Sequence, residues 1–326
     1  MKEEPLRACS RTITFEMTSD AGFGSEINNL IFVGIYAYIT NRTLLIDSKI
    51  WNYGNWSSWF VNPTKNCSSA SEYLAAYQET ACFFPKDEDS PHLKTKRMWG
   101  SLYQTVARYP HIYLNVFAQR AMAAHHLRIN SLTKDRIKEF LMKNFGSENP
   151  LNYFLKKQIF YGLHIRRGDK MPIAKANPII KYVEALENLI VNESKDKTLL
   201  SSPIDNLIVF VSSDDLKFVI PELQKLRSTW KLIYRKSAPI SELPGHFQSH
   251  FNQLNETVRT AQTLELLVDI ESLRHAKYVM CLYSSNFCRL VQALRNQDPE
   301  TIVGIDKTWF SGIASDIIMA AGRLRM

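Results

Sequence analysis

Several motifs that mark large enzyme classes are missing from this sequence. There is no G-x-x-x-x-G-K-[ST], which excludes a P-loop phosphoryl-transfer site. There is no G-x-S-x-G, no H-E-x-x-H and no paired His/Cys nucleophile motif, which removes the common hydrolase designs. The five cysteines, Cys9, Cys67, Cys82, Cys281 and Cys288, form no C-x-x-C pair and show no metal-ligand spacing. Their odd number leaves at least one thiol unpaired. No run approaches the roughly 18 apolar residues of a membrane span. Residues 1–10 are charged and unlike a signal peptide. The protein is therefore expected to be cytosolic, or to have its targeting segment and any membrane anchor outside this sequence. Basic residues cluster only at Lys94-Thr95-Lys96-Arg97, without interleaved aromatics, so nucleic acid is not an expected partner.

What is present describes a globular α/β protein. At 326 residues with 45% hydrophobic and 22% charged side chains, the chain can bury one large core or two ordinary ones. Its formal net charge of +8 suits a polyanionic small molecule. Asn-x-Ser/Thr sequons at Asn41, Asn55, Asn66, Asn192 and Asn255 point toward a secreted context.

The first half opens on Ser19-Asp20-Ala21-Gly22-Phe23-Gly24-Ser25, a tight turn into a helix with Ser25 as its expected N-cap. Ile27, Leu30, Ile31, Ile35 and Tyr38 follow near helical spacing, Asn41 stops the helix, and residues 43–47 read as a strand. Such a turn offers N–H groups and a positive dipole end to an anion. Residues 51–60 hold Trp51, Tyr53, Trp56, Trp59 and Phe60, either a satellite core or a ribose, base or sugar platform. A Lys-rich amphipathic helix spans 134–145, and Gly146 ends it.

From residue 158 strands and helices alternate, which implies a parallel sheet covered on both faces. Strands fall at 159–166, 207–212, 232–234, 278–282 and 301–305. Three polar clusters follow strands: Arg166/Arg167, Asp214/Asp215 and Ser284/Ser285. Ligands of such sheets sit beyond the carboxyl ends of the strands, so three clusters at one edge point to a site. Adjacent guanidiniums fork onto phosphate oxygens and keep their charge, so a nucleotide diphosphate bound by arginines fits best. The reaction class is group transfer, with the leaving diphosphate stabilised by cation and dipole. Asp269 lies in the apolar helix expected at 258–275. It needs a partner, either two N–H donors of guanine or an arginine of its own protein.

The stretch His164-Ile165-Arg166-Arg167-Gly168-Asp169-Lys170 resembles the H-x-R-R-x-D signature shared by GDP-fucose-dependent α1,6-, α1,2- and protein O-fucosyltransferases. Gly22-Phe23-Gly24, Arg42-Thr43-Leu44-Leu45-Ile46 and Trp51-Asn52-Tyr53 resemble the start of the α1,6 family's catalytic domain. Phe210–Asp215 is similar to its second motif. Val268-Asp269-Ile270 with Cys281–Cys288 is similar to its third. The blocks keep their order from about residue 9 to 305.

The resemblance implies a variant of the two-domain GT-B glycosyltransferase fold. An acceptor-side α/β domain would span 1–157 and a Rossmann-like GDP-fucose-binding domain 158–326. It implies an inverting fucosyltransferase of the secretory pathway or Golgi, needing no cofactor or metal. The donor would be GDP-fucose, and the acceptor an N-glycan or glycoprotein. Transfer would be α1,6 to the innermost GlcNAc, with α1,2 or protein O-fucosylation, or a nucleotide- or glycan-binding homologue without catalysis, as alternatives.

By position, Arg166 and Arg167 would take the diphosphate, with Gly24, Ser25, Ser285 and Asn286 as further donors. His164 and Asp269 would hold guanine, Tyr53 would meet the ribose, and Lys170 would lie near the acceptor hydroxyl. Disulfides Cys281–Cys288 and Cys9–Cys67 are implied, leaving Cys82 free. One departure stands out: the family's glutamate base falls on Ala174. Asp169, Asp214 and Asp215 are therefore the candidate bases. Gly168 stands where the α1,6 branch usually has Thr.

Overall fold

The computed structural model describes residues 10–63, 92–95, 116–168, 177–195, 204–236 and 245–306. They form two compact units that divide between Lys134 and Asp135. The division expected at 157/158 falls too late, because residues 135–157 pack with the second unit. The Phe145 ring lies 6.2 Å from Phe210, and the Phe154 ring 4.0 Å from His275.

The first unit holds a three-stranded parallel sheet of β1 (Thr12–Glu16), β2 (Thr43–Asp47) and β3 (His92–Thr95), in the order β2-β1-β3. All five residues of β1 are buried, as a middle strand requires. Helix α1 (Phe23–Ile39) crosses from β1 to β2 and is buried on nearly every side. Ile27, Leu30, Ile31 and Ile35 are core residues, but Tyr38, read as part of the same face, is 74% exposed in the last turn. Asn41 ends the helix as expected, at φ 51°. Arg42 N–H bonds Ala37 O at 2.8 Å and Asn41 N–H bonds Tyr38 O at 3.2 Å, a Schellman closure with Asn in the left-handed position.

Two expectations about this unit need correction. Gly22 is the N-cap of α1, not Ser25. Gly22 is extended and its carbonyl accepts from Ser25 and Glu26, so Ser25 already lies inside the first turn. Trp51, Tyr53, Trp56, Trp59 and Phe60 are all buried; Phe23 packs on Trp51 and Tyr53 at 5.6 and 5.2 Å, and Trp56 on Trp51 and Phe60 at 6.0 and 4.5 Å. The satellite core is the reading the structure supports.

Helix α2 (Val116–His126) ends on a buried histidine. Burial first, then His125 and Arg128, lowers His126 to about 4. Below the unfolded value near 6.5 the unfolded chain takes a proton here that the folded chain refuses, so stability falls as pH falls. Between pH 7 and 5 the loss from this site is about 2 kcal/mol. Urea melts at the two pH values should show it, and His126→Leu should flatten that part of the slope.

The division falls in the first turn of α3 (Ser131–Phe145), which is ended by Gly146 at φ 53°, and α4 (Pro150–Leu155) follows in the second unit. Five strands follow: β4 (Tyr161–Ile165), β5 (Ile208–Ser213), β6 (Lys231–Ile233), β7 (Val279–Cys281) and β8 (Ile302–Gly304). All pair in parallel, in the order β6-β5-β4-β7-β8. Numbered within the unit this is 3-2-1-4-5, the order of a dinucleotide-binding sheet, with its reversal between β4 and β7.

The connections are α5 (Ile179–Lys195), α6 (Leu216–Leu226), α7 (Gln248–Gln253) with α8 (Glu256–His275), and α9 (Asn286–Leu294). Strand pleating sorts the faces. Tyr161, Leu163, Ile165, Val209 and Val211 share a core with Tyr182, Val183 and Leu186 of α5 and with Val219 and Leu223 of α6. Gly162, on the other face, has no side chain because a Cβ there would come within 2.7 Å of Leu273 of α8. His164 and Ser212 therefore face α8. Cys281 and Cys288 form the expected disulfide, with Cα atoms 5.9 Å apart. Cys9, Cys67 and Cys82 lie outside the described residues.

Candidate active site

The chain turns off β4 into Arg166 and Arg167 at the point where strand order reverses. Asp214, two strands' worth of sequence away at the end of β5, organises the turn. Its Oδ1 accepts Arg167 N–H at 2.8 Å, and its Oδ2 accepts His246 N–H at 3.1 Å. Arg166 Nη1 lies 3.1 Å from the same Oδ2, and Arg166 Nη2 donates to His246 O at 3.4 Å. Asp215 caps α6 by accepting Phe218 N–H at 3.4 Å. Arg167 stacks over the Phe218 ring at 4.1 Å, with Nε 4.0 Å from Asp215.

Neither Asp214 nor Asp215 stands as an idle carboxylate awaiting an acceptor proton. Asp214 shapes the loop, and Asp215 caps a helix and faces Arg167. Of the three candidate bases only Asp169 escapes this correction, and it lies outside the described residues with Lys170 and Ala174.

Gly168 has a steric reason. A Cβ there would collide with the backbone of His246 and reach within 2.8 Å of Asp214 Oδ2. Gly245, at φ 91°, closes on Gly168 from the other side. Gly168→Ala should therefore cost about 1–3 kcal/mol in urea denaturation. Gly168→Thr, which installs the residue usual in the resembled branch, should cost more.

Across the switch point, α9 begins with Ser285 at its N-cap and Asn286 in its first turn. The N–H groups expected to serve oxyanions are partly spent. Asp306, just past β8, accepts Tyr283 N–H and Ser284 N–H, each at 2.7 Å, and Ser285 N–H bonds Leu282 O at 3.0 Å. Phe287 in the first turn stacks on His164, 4.2 Å between centroids and 22° from parallel. His164 Nδ1 is 3.2 Å from Ser212 Oγ, which donates to Asp269 Oδ2 at 2.8 Å. Burial, then Arg166, lowers His164 to about 3, so the ring is neutral near pH 7.

Asp269 has the second of its two foreseen partners. Arg235, just past β6, forks onto it with Nε at 2.9 Å and Nη2 at 3.1 Å, and reaches Glu265 with Nη1 at 2.6 Å.

Among the described residues, four buried polar atoms around this edge have no hydrogen-bond partner: His164 Nε2, Arg167 Nε, Tyr182 Oη and Ser284 Oγ. Tyr182 lies in α5 within electrostatic reach of Asp306, Asp214 and Arg167, and burial raises its pKa. Buried polar groups left unpaired cost free energy, and gathering them at a strand-end crevice is how a ligand site is built. Sequence reasoning missed Tyr182, Phe218, Arg235, His246, Phe287 and Asp306. Arg235 and Asp306 follow strands β6 and β8, so the strand-end rule that found Arg166 reaches them too.

In the first unit, Gly24 and Ser25 sit in the first turn of α1, whose Phe23 N–H already donates to Tyr53 Oη at 2.9 Å. Tyr53 is 3% exposed, and its hydroxyl is tied to that helix end. In this structure it packs the satellite core and closes the start of α1, whereas the resemblance has it meeting the ribose.

Residues 7–91 match the model of the α-(1,6)-fucosyltransferase N- and catalytic domains. An α-(1,6)-fucosyltransferase of Caenorhabditis elegans is 24% identical over 89% of this chain and 50% of its own length. One of Drosophila melanogaster is 22% identical over 86% of this chain and 43% of its own. The chain thus spans about half the length of these relatives. A crystal structure of the fucosyltransferase NodZ from Bradyrhizobium superposes with a TM-score of 0.51 at 14% identity, covering 92% of this chain and 96% of that one. NodZ α-1,6-fucosyltransferase soaked with GDP-fucose gives 0.50 at 13% identity, with the same coverage. The fold is the GT-B-like α/β fold of these enzymes, and the chain is similar in sequence to α-(1,6)-fucosyltransferases.

Proposed function

We propose that this chain is an inverting glycosyltransferase that moves fucose from GDP-fucose to a glycan hydroxyl, in α1,6 linkage to the innermost GlcNAc of N-glycans. The observation that carries this is the Arg166-Arg167 turn at the switch point of a 3-2-1-4-5 sheet, next to the strand that leads into α9. The names of its relatives support the linkage, and the NodZ crystal soaked with GDP-fucose supports the donor.

The acceptor oxygen attacks C1 of fucose on the face opposite the diphosphate. The C1–O bond to the β-phosphate breaks, GDP leaves with the electron pair, and a base takes the acceptor proton. Arg167, whose Nε makes no hydrogen bond, stabilises charge growing on the leaving group. The arginines supply the cationic charge that a metal would otherwise bring, so no metal takes part. With Asp214 and Asp215 engaged, Asp169 is the proposed base, and Lys170 is the residue proposed to meet the acceptor hydroxyl.

The disulfide and the sequons support a secretory-pathway or Golgi lumen. The four sequon asparagines among the described residues, Asn41, Asn55, Asn192 and Asn255, are all exposed.

Ala174 in place of the resembled family's glutamate favours a second reading, a nucleotide- or glycan-binding homologue without turnover. Incubation with GDP-fucose and a panel of N-glycan, galactoside and protein acceptors separates the readings. Mass spectrometry should show one added deoxyhexose on the innermost GlcNAc. Addition elsewhere would overturn the linkage, and tight GDP binding without product would favour the second reading.

A further inference from the structure

We propose that residues 154–159, the loop between α4 and β4, dock the second unit on an anionic lipid surface. Three large apolar side chains enter the headgroup boundary, and two lysines meet the lipid charge. Donor, acceptor and reaction play no part in this, so it stands or falls apart from the functional reading.

All six residues of the loop are exposed, between buried Tyr153 and buried Phe160. Leu155 is 74% exposed, Ile159 54% and Phe154 45%, so apolar surface that folding normally hides is left in water. The loop is nevertheless well built. Gln158 N–H donates to Tyr153 O at 2.8 Å and Lys157 N–H to Phe154 O at 2.9 Å, a Schellman closure of α4. The Phe154 ring rests against His275 at the end of α8.

Lys157 occupies the left-handed position of that closure, at φ 55°, where glycine is the usual residue. A long cationic side chain kept at a strained position points to a use for it. Lys156 stands beside it. The acids of this edge already have partners: Glu148 pairs with Lys231, Glu193 with Lys277, and Glu271 with Arg274 and His275. Among the described residues no ion pair engages Lys156 or Lys157.

This mixture of side chains selects the occupant. A two-fold contact with a second copy would set Lys156 and Lys157 near their own counterparts. A groove on another protein suits lysine poorly, since lysine is depleted from protein interfaces. A lipid surface takes both kinds of side chain, because apolar groups enter the boundary while lysines snorkel back to anionic headgroups. The net charge of +8 acts in the same direction. Ile159 lies at the amino end of β4 and Arg166 just past its carboxyl end. The extended chain between them spans roughly 23 Å, so docking through the loop leaves the arginine turn facing away from the lipid.

Co-sedimentation with phosphatidylcholine vesicles, made with and without phosphatidylserine, tests the proposal. Wild-type protein should bind the anionic vesicles more tightly, and added salt should weaken that binding. Leu155→Ser combined with Ile159→Ser should lower the partition coefficient about tenfold. Its urea midpoint should hold, since both side chains are already in water. Lys157→Gly is the sharper variant. Glycine suits the left-handed turn, so the urea midpoint should hold or rise, while binding falls about fivefold, one lysine's share. Absent binding, equal binding to the two vesicles, or full binding by the double variant overturns the proposal. So does a wild-type dimer in light scattering that becomes monomeric in the double variant, since a second copy then covers the loop.

Discussion

Arg167→Ala should lower kcat/KM for fucose transfer about a thousandfold while the protein still melts cooperatively. The size follows from removing one preorganised charge at a developing anion, worth about 10²–10³ in comparable sites. The clean melt follows from how Arg167 is held. Its backbone N–H, which the substitution keeps, makes the bond to Asp214. Its guanidinium only stacks on Phe218 and approaches Asp215 at 4.0 Å, with no hydrogen bond at Nε. Asp215 keeps its helix-capping bond when that side chain goes. Arg166→Ala should behave differently. It strips the ion pair from Asp214, so activity and stability should fall together. Comparing the two variants by steady-state kinetics and urea denaturation separates a ligand-facing arginine from a structural one. Near-full activity in Arg167→Ala would remove the leaving-group role.

The sheet of the second unit was legible because both periodicities were strong there. Apolar runs ended in polar clusters, and the strand bounds fall within about two residues of those observed. Parallel pairing followed from alternation with helices, and so did the edge that carries Arg166, Asp214 and Ser284. The partners of those residues were less legible. Nothing in Asp214-Asp215 says that one carboxylate will bind two backbone N–H groups from segments 47 and 32 residues away. Arg235 follows β6 as the strand-end rule allows, but a strand of three residues gives that rule little to start from. The aromatic run at 51–60 could not reveal that Tyr53 would close a helix end, since that depends on where α1 starts. Composition likewise showed a domain break but not its place, because α3 and α4 look solvent-facing until Phe145 and Phe154 find Phe210 and His275.

Asp214→Ala should destabilise the second unit by about 3–5 kcal/mol, the cost of breaking a buried pair from one side. The carboxylate is only 9% exposed and takes donors from two backbone segments as well as Arg166. Its loss leaves Arg167 N–H and His246 N–H without an acceptor and Arg166 beside no countercharge. Gly168 and Gly245 approach each other beside Asp214, whose oxygens hold the N–H groups of their neighbours Arg167 and His246, so that close approach should loosen as well. Asp214→Asn gives the sharper comparison. An amide oxygen can keep one backbone N–H, but its NH₂ would face a second donor, so roughly half the loss should remain. If Asp214 were the acceptor base, Asp214→Asn would abolish transfer while leaving urea unfolding unchanged. With the carboxylate shaping the arginine turn, the two quantities must move together across Asp214→Asn and Asp214→Ala. Residual activity should then track the fraction of molecules whose turn is still formed.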